Sequence, residues 1–318
     1  MSPRFLMVKF SAIGDCVMAV AAASAVRRSH PDAFIAWAID SRCAAMVDTD
    51  RLADLRYEIP RQQWKSGNVS WLAQFRHFAR LRRFNFDYGL DLQGHTKTAL
   101  CLRIASPKKR IALRATDVVA RVVNPLAPQP GHPAHIVERN LFALRTLGDF
   151  PGDATPIMPN LCDLPDEVEE AVSGRLATIS ISAGHPKKCY PAHHWEQVAC
   201  ELSARGFGVA FLGGPEDVGL IQPEVHNWIG RLTLEQTLAV VARSRVHLAA
   251  DTGTGHMAAA YGVPVVSVFG YTDKEESRPY TNNAIVLDAG RGMDRVSPSE
   301  IVESVETLIA SQRDAVLN

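Results

Sequence analysis

The sequence predicts an α/β protein of two doubly wound, parallel-sheet, Rossmann-like domains in 318 residues. Three observations carry that expectation. Short apolar runs alternate with helix-like stretches, the pattern of β-α-β units rather than of a sandwich or a bundle. The alternation occurs twice, once in each half, with the Pro/Gly/Asp-rich segment 149–165 between. The length exceeds one ordinary core and fits two of similar size. One domain is expected at 1–160 and the other at 161–318, with the last helix a candidate to pack back on the first domain.

The elements follow in order. A first strand is expected at 5–10, then the loop Ser11 to Asp15, then a small-residue helix over 17–29 that His30 and Pro31 end. A second strand at 34–39 completes a β-α-β unit. Residues 88–92 read as a strand, with Gln93, Gly94 and His95 as its exit loop. The stretch 125–133 holds four prolines in nine residues and reads as a loop or insertion. In the second half, strands are expected at 177–182, 208–212, 246–250 and 263–269. Residues 297–317 read as a helix with Ile301, Val305, Leu308 and Ile309 on one apolar stripe. Open parallel sheets take ligands at the carboxyl ends of their strands. Two such domains facing each other would set two groups of loops across one cleft.

Composition narrows the class. Apolar residues make up 47% of the chain, which suits a globular protein with real cores. The net charge is zero, yet residues 1–150 carry 22 Lys+Arg against 12 Asp+Glu, and the remainder reverses that balance. A basic first half suggests an anionic partner there; no feature points to nucleic acid. The six cysteines are scattered without a C-x-x-C pair, the usage of a reducing cytoplasm. The apolar run at 5–8 is too short for a signal peptide, and none approaches the ~20 residues of a membrane span. Any membrane contact is therefore expected to be peripheral.

The segment from Ala249 to Ala260 carries the strongest chemical signal. A buried strand breaks at Asp251-Thr252-Gly253-Thr254-Gly255-His256 and resumes as an alanine-rich helix. Unpaired backbone N–H groups and the helix dipole make such a helix start an anion site. Asp251 suits hydroxyls and His256 suits a phosphate, so a nucleotide sugar would satisfy both. Asp15 is either a helix cap or a general base at the cleft. Lys187 and Lys188 follow the loop Ser182-Ala183-Gly184-His185-Pro186, where a lysine can neutralise a leaving diphosphate without a metal. The turn 212–217 brings Glu216 and Asp217, as ribose ligands or as a structural turn.

Other patterns compete. Gly253 to Ala258 fits the loosened dinucleotide fingerprint G-x-G-x-x-A, with Asp273 twenty residues on, so an NAD-binding Rossmann protein is the reading from a different class. That motif normally opens its domain, and here it comes late. Asp48-Thr49-Asp50 is a D-x-D triplet of the kind metal-dependent transferases use; with no adjoining apolar strand it reads as surface. His193-His194 and His132/His135 lack zinc-ligand spacing, so no metal site is expected. Arg76, Arg80, Arg82 and Arg83, interleaved with Phe75, Phe78 and Phe84, read as a solvated face over a packed aromatic stripe. The alternative for that helix is contact with anionic lipid headgroups.

Taken together, these segments resemble the ADP-heptose:lipopolysaccharide heptosyltransferases, inverting glycosyltransferases of the GT-B type, over most of the chain. Val8 to Asp15 is similar to the family's strand followed by S-x-x-G-D. Asp91 to Thr98 is similar to D-x-Q-G-x-x-K-S, and His135 to Arg139 to H-x-V-E-R; these two point to the heptosyltransferase I branch, which adds the first heptose to the Kdo sugars of the inner core. Lys188-Cys189-Tyr190-Pro191 stands where the family has K-x-W-P. Asp251 to Ala260 is similar to D-T/S-G-x-x-H-x-x-A-A, and Phe269 to Asp273 to F-G-P-T-D, with tyrosine for proline.

The resemblance implies roles residue by residue. Asp15, beside Gly14, would deprotonate the acceptor hydroxyl. Lys188, His256 and the N–H groups of Thr254 and Gly255, at the turn opened by Gly253, would hold the ADP diphosphate. Asp251 would bind heptose hydroxyls, with Asp217, Ala183 and Gly184 on the nucleotide side. Lys97 and Arg139 would face an anionic glycolipid acceptor. The donor would be a nucleotide sugar, ADP-heptose, with no further cofactor and no metal. A GT-B transferase with another donor or acceptor, or a nucleotide-sugar epimerase, is the alternative. The location would be cytoplasmic, at the inner face of the inner membrane.

Overall fold

The structure, a computed structural model, describes residues 2–67, 69–131, 134–221 and 225–317. The chain divides into two compact units, Met1–Asn160 and Leu161–Asn318. Each is built on its own parallel sheet.

In the first unit the strands are β1 Arg4–Val8, β2 Phe34–Asp40, β3 Leu55–Ile59, β4 Tyr88–Asp91 and β5 Lys109–Ala112. They lie in the order β3-β2-β1-β4-β5, all parallel. In the second they are β6 Leu176–Ser180, β7 Gly208–Leu212, β8 His226–Asn227, β9 Val246–Ala250, β10 Val265–Phe269 and β11 Ala284–Asp288. Their order is β11-β10-β9-β6-β7-β8, again parallel. Each chain segment starts mid-sheet, winds out one way, returns and winds out the other. The reversal falls between β1 and β4 in one sheet and between β6 and β9 in the other. Such switch points open the crevices where doubly wound sheets bind ligands.

The central strands are continuous apolar runs because both faces are covered. Phe5 to Val8 and Ile35 to Ile39 are buried throughout. The helix Ile13–Ser29 buries every residue from Cys16 to Val26; its small side chains let it lie close to the sheet. Asn140, on the helix Ile136–Arg145, donates to the Met18 carbonyl at 3.1 Å and fixes that packing. In the second unit Trp195, Phe211, Leu248 and Val268 form the centre of the core. The helix Pro298–Leu317 adds Ile301, Val305, Leu308 and Ile309 to it, the stripe expected from sequence.

Several boundaries and readings change. The first helix begins at Ile13, four residues earlier than its apolar pattern. Asp15 therefore sits inside the first turn and reaches back to accept from the Ala12 N–H at 3.2 Å, instead of capping from outside. The strands absent from the sequence reading are β3, β5, β8 and β11, the outermost strands of the two sheets. An edge strand is half solvated and carries charges, as Leu55-Arg56-Tyr57-Glu58-Ile59 does, so it lacks the apolar run of a central one. Of the segment 125–133, residues 125–131 form a loop whose start is tied to β5, and 132–133 lie outside the described residues: Ala112 N–H donates to Pro125 O and Ala127 N–H to Ala112 O, each at 2.8 Å.

The D-x-D triplet is at the surface only at Thr49 and Asp50. The Asp48 side chain is buried and accepts from the Asp50 and Arg51 N–H groups at 2.7 and 2.8 Å, with Arg51 Nε at 3.0 Å. It shapes the turn leading into β3, one of the strands the sequence reading did not see. Among the described residues no group of His, Cys, Asp and Glu is placed to hold a metal; His132 lies outside them. The basic aromatic stretch is the helix Trp71–Ala79 followed by a 3-10 turn at Arg80–Phe84. Phe78 is buried, but Phe75 is exposed with Leu72 and Trp71, so the aromatic stripe is packed only in part. No helix among the described residues is long and apolar enough to cross a membrane.

Candidate functional site

The switch point of the second sheet gathers three loops. Lys188 ends the short 3-10 turn Pro186–Lys188 after β6, Asp251 follows β9, and Thr272 follows β10. Lys188 Nζ and Thr272 Oγ1 both lie 2.6 Å from Asp251 Oδ2. His256 Nε2 stands 3.9 Å from the other carboxylate oxygen. The Asp251 side chain is only 9% exposed and that of Lys188 27%, so this charge-assisted contact sits in a partly dried site where it counts for more than on the surface.

Immediately after Asp251 the helix Gly253–Ala260 begins, with Thr252 as its cap. Thr252 Oγ1 lies 2.8 Å from Thr254 Oγ1, which donates to Ser180 Oγ at 2.7 Å and so joins the two strands of the switch point. Gly255 N–H points to Thr252 Oγ1 at 3.4 Å. Amide donors, hydroxyls and a lysine converging at a helix start make a receptor for a phosphate. The carboxylate beside it is a receptor for hydroxyls.

The neighbouring loops are braced from within. Asp217 is buried; its Oδ2 accepts from Ser182 Oγ at 2.6 Å and from Gly214 N–H at 2.8 Å, tying the β6 loop to the β7 turn. Gly213 has no room for a side chain there, since an added Cβ would stand 2.8 Å from Asp217 Oδ2. Ala183 N–H donates to Cys189 Sγ at 3.4 Å, closing the loop on which Gly184 is exposed. Tyr190 anchors that loop in the core, its hydroxyl donating to Val296 O at 2.8 Å and its ring edge-on to Trp195. Burial raises the Tyr190 phenol well above its ordinary range.

The first sheet presents a second set of groups at its own switch point. Gly14 is buried in the first turn of the helix after β1, and Asp15 next to it is 37% exposed. Lys9 is 2% exposed, donates to Leu92 O at 3.2 Å, and stands 3.7 Å from Asp15 Oδ1. From the β4 loop, Gln93 Oε1 accepts from Phe10 N–H at 2.9 Å and fixes the chain leading to Asp15. Asp91 is fully buried; desolvation pushes its carboxyl up to about 6, against the pull of the Gly94 and Gln93 N–H groups it accepts from. Arg61 Nη1 donates to Ser11 Oγ at 2.6 Å.

The structure thus brings Lys188, Asp251, Gly253, Thr254, Gly255 and His256 together, and sets Asp15 and Gly14 in the other unit. Asp217 belongs to the bracing of the β6 and β7 loops. Lys97 is exposed in the first turn of the helix Thr96–Ala105, and Arg139 is half-buried on Ile136–Arg145. Sequence reasoning missed Lys9, Arg61 and Thr272. Lys9 had left a signal: a lysine inside the apolar run Phe5 to Phe10 must be buried, and a buried lysine needs partners.

The dinucleotide reading does not fit this geometry. The fingerprint belongs after the first strand of its unit, whereas Gly253 follows β9, the fourth strand of the second unit. Asp273 caps the turn Lys274–Ser277 by accepting from Glu275 N–H at 2.9 Å.

Two doubly wound parallel-sheet units, with a lysine, a carboxylate and a helix start at the switch point of the second, are of the GT-B fold class. A model of glycosyltransferase family 9 (heptosyltransferase) matches residues 74–301, and the chain belongs to that family. It is 25% identical over 297 residues to lipopolysaccharide heptosyltransferase 3 of Escherichia coli K12, covering 87% of this chain and 85% of the relative. To lipopolysaccharide heptosyltransferase 1 of Pseudomonas aeruginosa it is 24% identical over 308 residues, covering 89% and 83%. The solved E. coli heptosyltransferase WaaC with ADP superposes with a TM-score of 0.78 at 20% identity, over 96% of this chain and 99% of that one. The chain is a glycosyltransferase of lipopolysaccharide heptose transfer.

Proposed function

We propose that the enzyme moves heptose from ADP-heptose to an anionic, Kdo-containing inner-core acceptor, with inversion and without a catalytic metal. The observation that carries this reading is the Lys188–Asp251 pair beside the start of the helix Gly253–Ala260. It offers a cation, amide donors and a hydroxyl acceptor within one loop cluster, which is what a diphosphate joined to a polyol requires.

In this reading Asp251 takes heptose hydroxyls. Lys188, His256 and the amides of Thr254 and Gly255, at the turn Gly253 opens, take the diphosphate. Ala183, Gly184 and Asp217 shape the nucleotide side. Asp15, reached past Gly14, accepts the proton of the acceptor hydroxyl while that oxygen bonds to the anomeric carbon. The bond from that carbon to the phosphate oxygen breaks on the opposite side, and the electron pair leaves with ADP. Lys188 stabilises the charge that develops there. Lys9 gives the Asp15 carboxylate a positive neighbour. Lys97 and Arg139 meet the acceptor's acids, in keeping with the basic first half of the chain.

The acceptor is a membrane glycolipid in this reading, and the enzyme works at the cytoplasmic face of the inner membrane. Support for a peripheral contact comes from the helix Trp71–Ala79, where Trp71, Leu72 and Phe75 are exposed beside Arg76. The test is mass analysis of deacylated Kdo-lipid A after incubation with ADP-heptose, with and without a metal chelator. A gain of one heptose in both samples is expected. Intact donor would redirect the donor and acceptor assignment, and donor isomerised without transfer would favour an epimerase.

A further inference from the structure

The loops after β6 and β10 meet across the loop after β9, and they meet twice. β9 lies between β6 and β10 in the sheet, so Asp251 is flanked on both sides. Lys188 from one loop and Thr272 from the other both reach its Oδ2. The same two loops also bring two rings together. His185 and Tyr271 lie parallel, 1° apart in plane, with centroids 5.8 Å apart. Lys187 Nζ stands 5.1 Å from the Tyr271 ring centroid.

These rings have no part in the core. Tyr271 is 57% exposed and presents a large aromatic face to solvent beside Thr272, which holds the Asp251 carboxylate. A flat apolar face one residue along the loop from Thr272, which holds the Asp251 carboxylate, matches a sugar, which carries a C–H face between its hydroxyls. The side of the sheet matters too. Asp217 and Ser182 brace the β6–β7 side, whereas Tyr271 adjoins Thr272, the partner of Asp251 on the β9–β10 side.

We propose that Tyr271, backed by His185, forms the aromatic wall of the donor's glycosyl subsite. It packs on the C–H face of the sugar whose hydroxyls Asp251 receives, and so determines which sugars the site holds. The proposal rests on the reading of Lys188 and Asp251 as the donor site. Because the ring contacts sugar and not nucleotide, its loss should be felt by the nucleotide sugar alone.

Calorimetric titration of ADP and of ADP-heptose into wild type, Tyr271→Ala and Tyr271→Phe tests this. Tyr271→Ala is expected to raise the Kd for ADP-heptose about tenfold, the scale of one lost stacking contact, and to leave the Kd for ADP unchanged. Tyr271→Phe keeps the ring and should keep both affinities within about twofold. An ADP-heptose affinity unmoved by Tyr271→Ala would overturn the proposal. So would an equal loss for ADP, which would place the ring on the nucleotide. Wild-type protein that binds neither ligand would overturn the donor reading itself, and the proposal with it.

Discussion

Lys188 and Asp251 join the two strands of the second switch point, Nζ 2.6 Å from Oδ2, from loops that follow β6 and β9. Each charge is satisfied by the other. In the proposed reading a donor would exchange this contact for its own: phosphate oxygens for the lysine, hydroxyls for the carboxylate. Such an exchange would keep the mostly buried carboxylate paired while a diphosphate binds beside it.

Removing one partner should consequently cost more than removing both. Lys188→Ala leaves the Asp251 carboxylate without its lysine, and ADP affinity should fall about a hundredfold. Adding Asp251→Asn to that variant removes the carboxylate's charge, and part of the ADP affinity should return. A double-mutant cycle in ADP Kd reads the coupling directly; strictly additive losses would show that the two residues act independently.

Asp15 should separate binding from chemistry. Asp15→Asn keeps the size and the acceptor for the Ala12 N–H but cannot take a proton. Transfer should fall about 10²- to 10⁴-fold with ADP affinity intact. Turnover near wild type would remove Asp15 from the base role.

Tyr190 links the core to the loop that carries Lys188. Tyr190→Phe strands the Val296 carbonyl in the interior and should cost about 1–2 kcal/mol of stability, read as a lower midpoint in urea. Tyr190→Ala empties a space against Trp195 and should cost about 3–5 kcal/mol. It should also weaken ADP binding, because Lys188 lies only two residues away on the loop. Tyr190→Phe should leave ADP binding unchanged.

Asp91 gives the first unit a pH dependence of definite sign. Its folded carboxyl titrates at about 6 against 3.8 for the ordinary group. As pH rises, the unfolded chain loses this proton first, so stability falls between those two values and stays lower above them. The full effect is about 3 kcal/mol. Asp91→Asn still accepts from the Gln93 and Gly94 N–H groups and should gain on wild type as pH rises from about 4 to 7. Urea midpoints of both proteins at the two ends of that range check it; a constant difference would contradict it.

Central strands were legible in the sequence because burial on both faces leaves continuous apolar runs, as at Phe5 to Val8 and Ile35 to Ile39. The outer strands were not, because solvation lets Arg56 and Glu58 or Lys109 and Arg110 sit in them. The helix start at Thr252 was readable from local chemistry, since a strand, small residues and a helix pattern succeed one another. The contact of Lys188 with Asp251 was not, because it depends on β6 lying beside β9, and strand order is set by packing. Asp48 misled for a related reason: without β3 in view, its turn looked solvated. Thr272 was hidden because a single threonine acquires meaning only when a neighbouring loop delivers a carboxylate to it.

The most direct measurement is the anomeric configuration of the transferred heptose, read by NMR on the product of a reaction with ADP-heptose of known configuration. One in-line displacement, with Asp15 taking the proton and Lys188 holding the departing diphosphate, predicts a linkage of opposite configuration to the donor's. A product that retains the donor's configuration would contradict it, because retention requires either two displacements or attack from the leaving group's side.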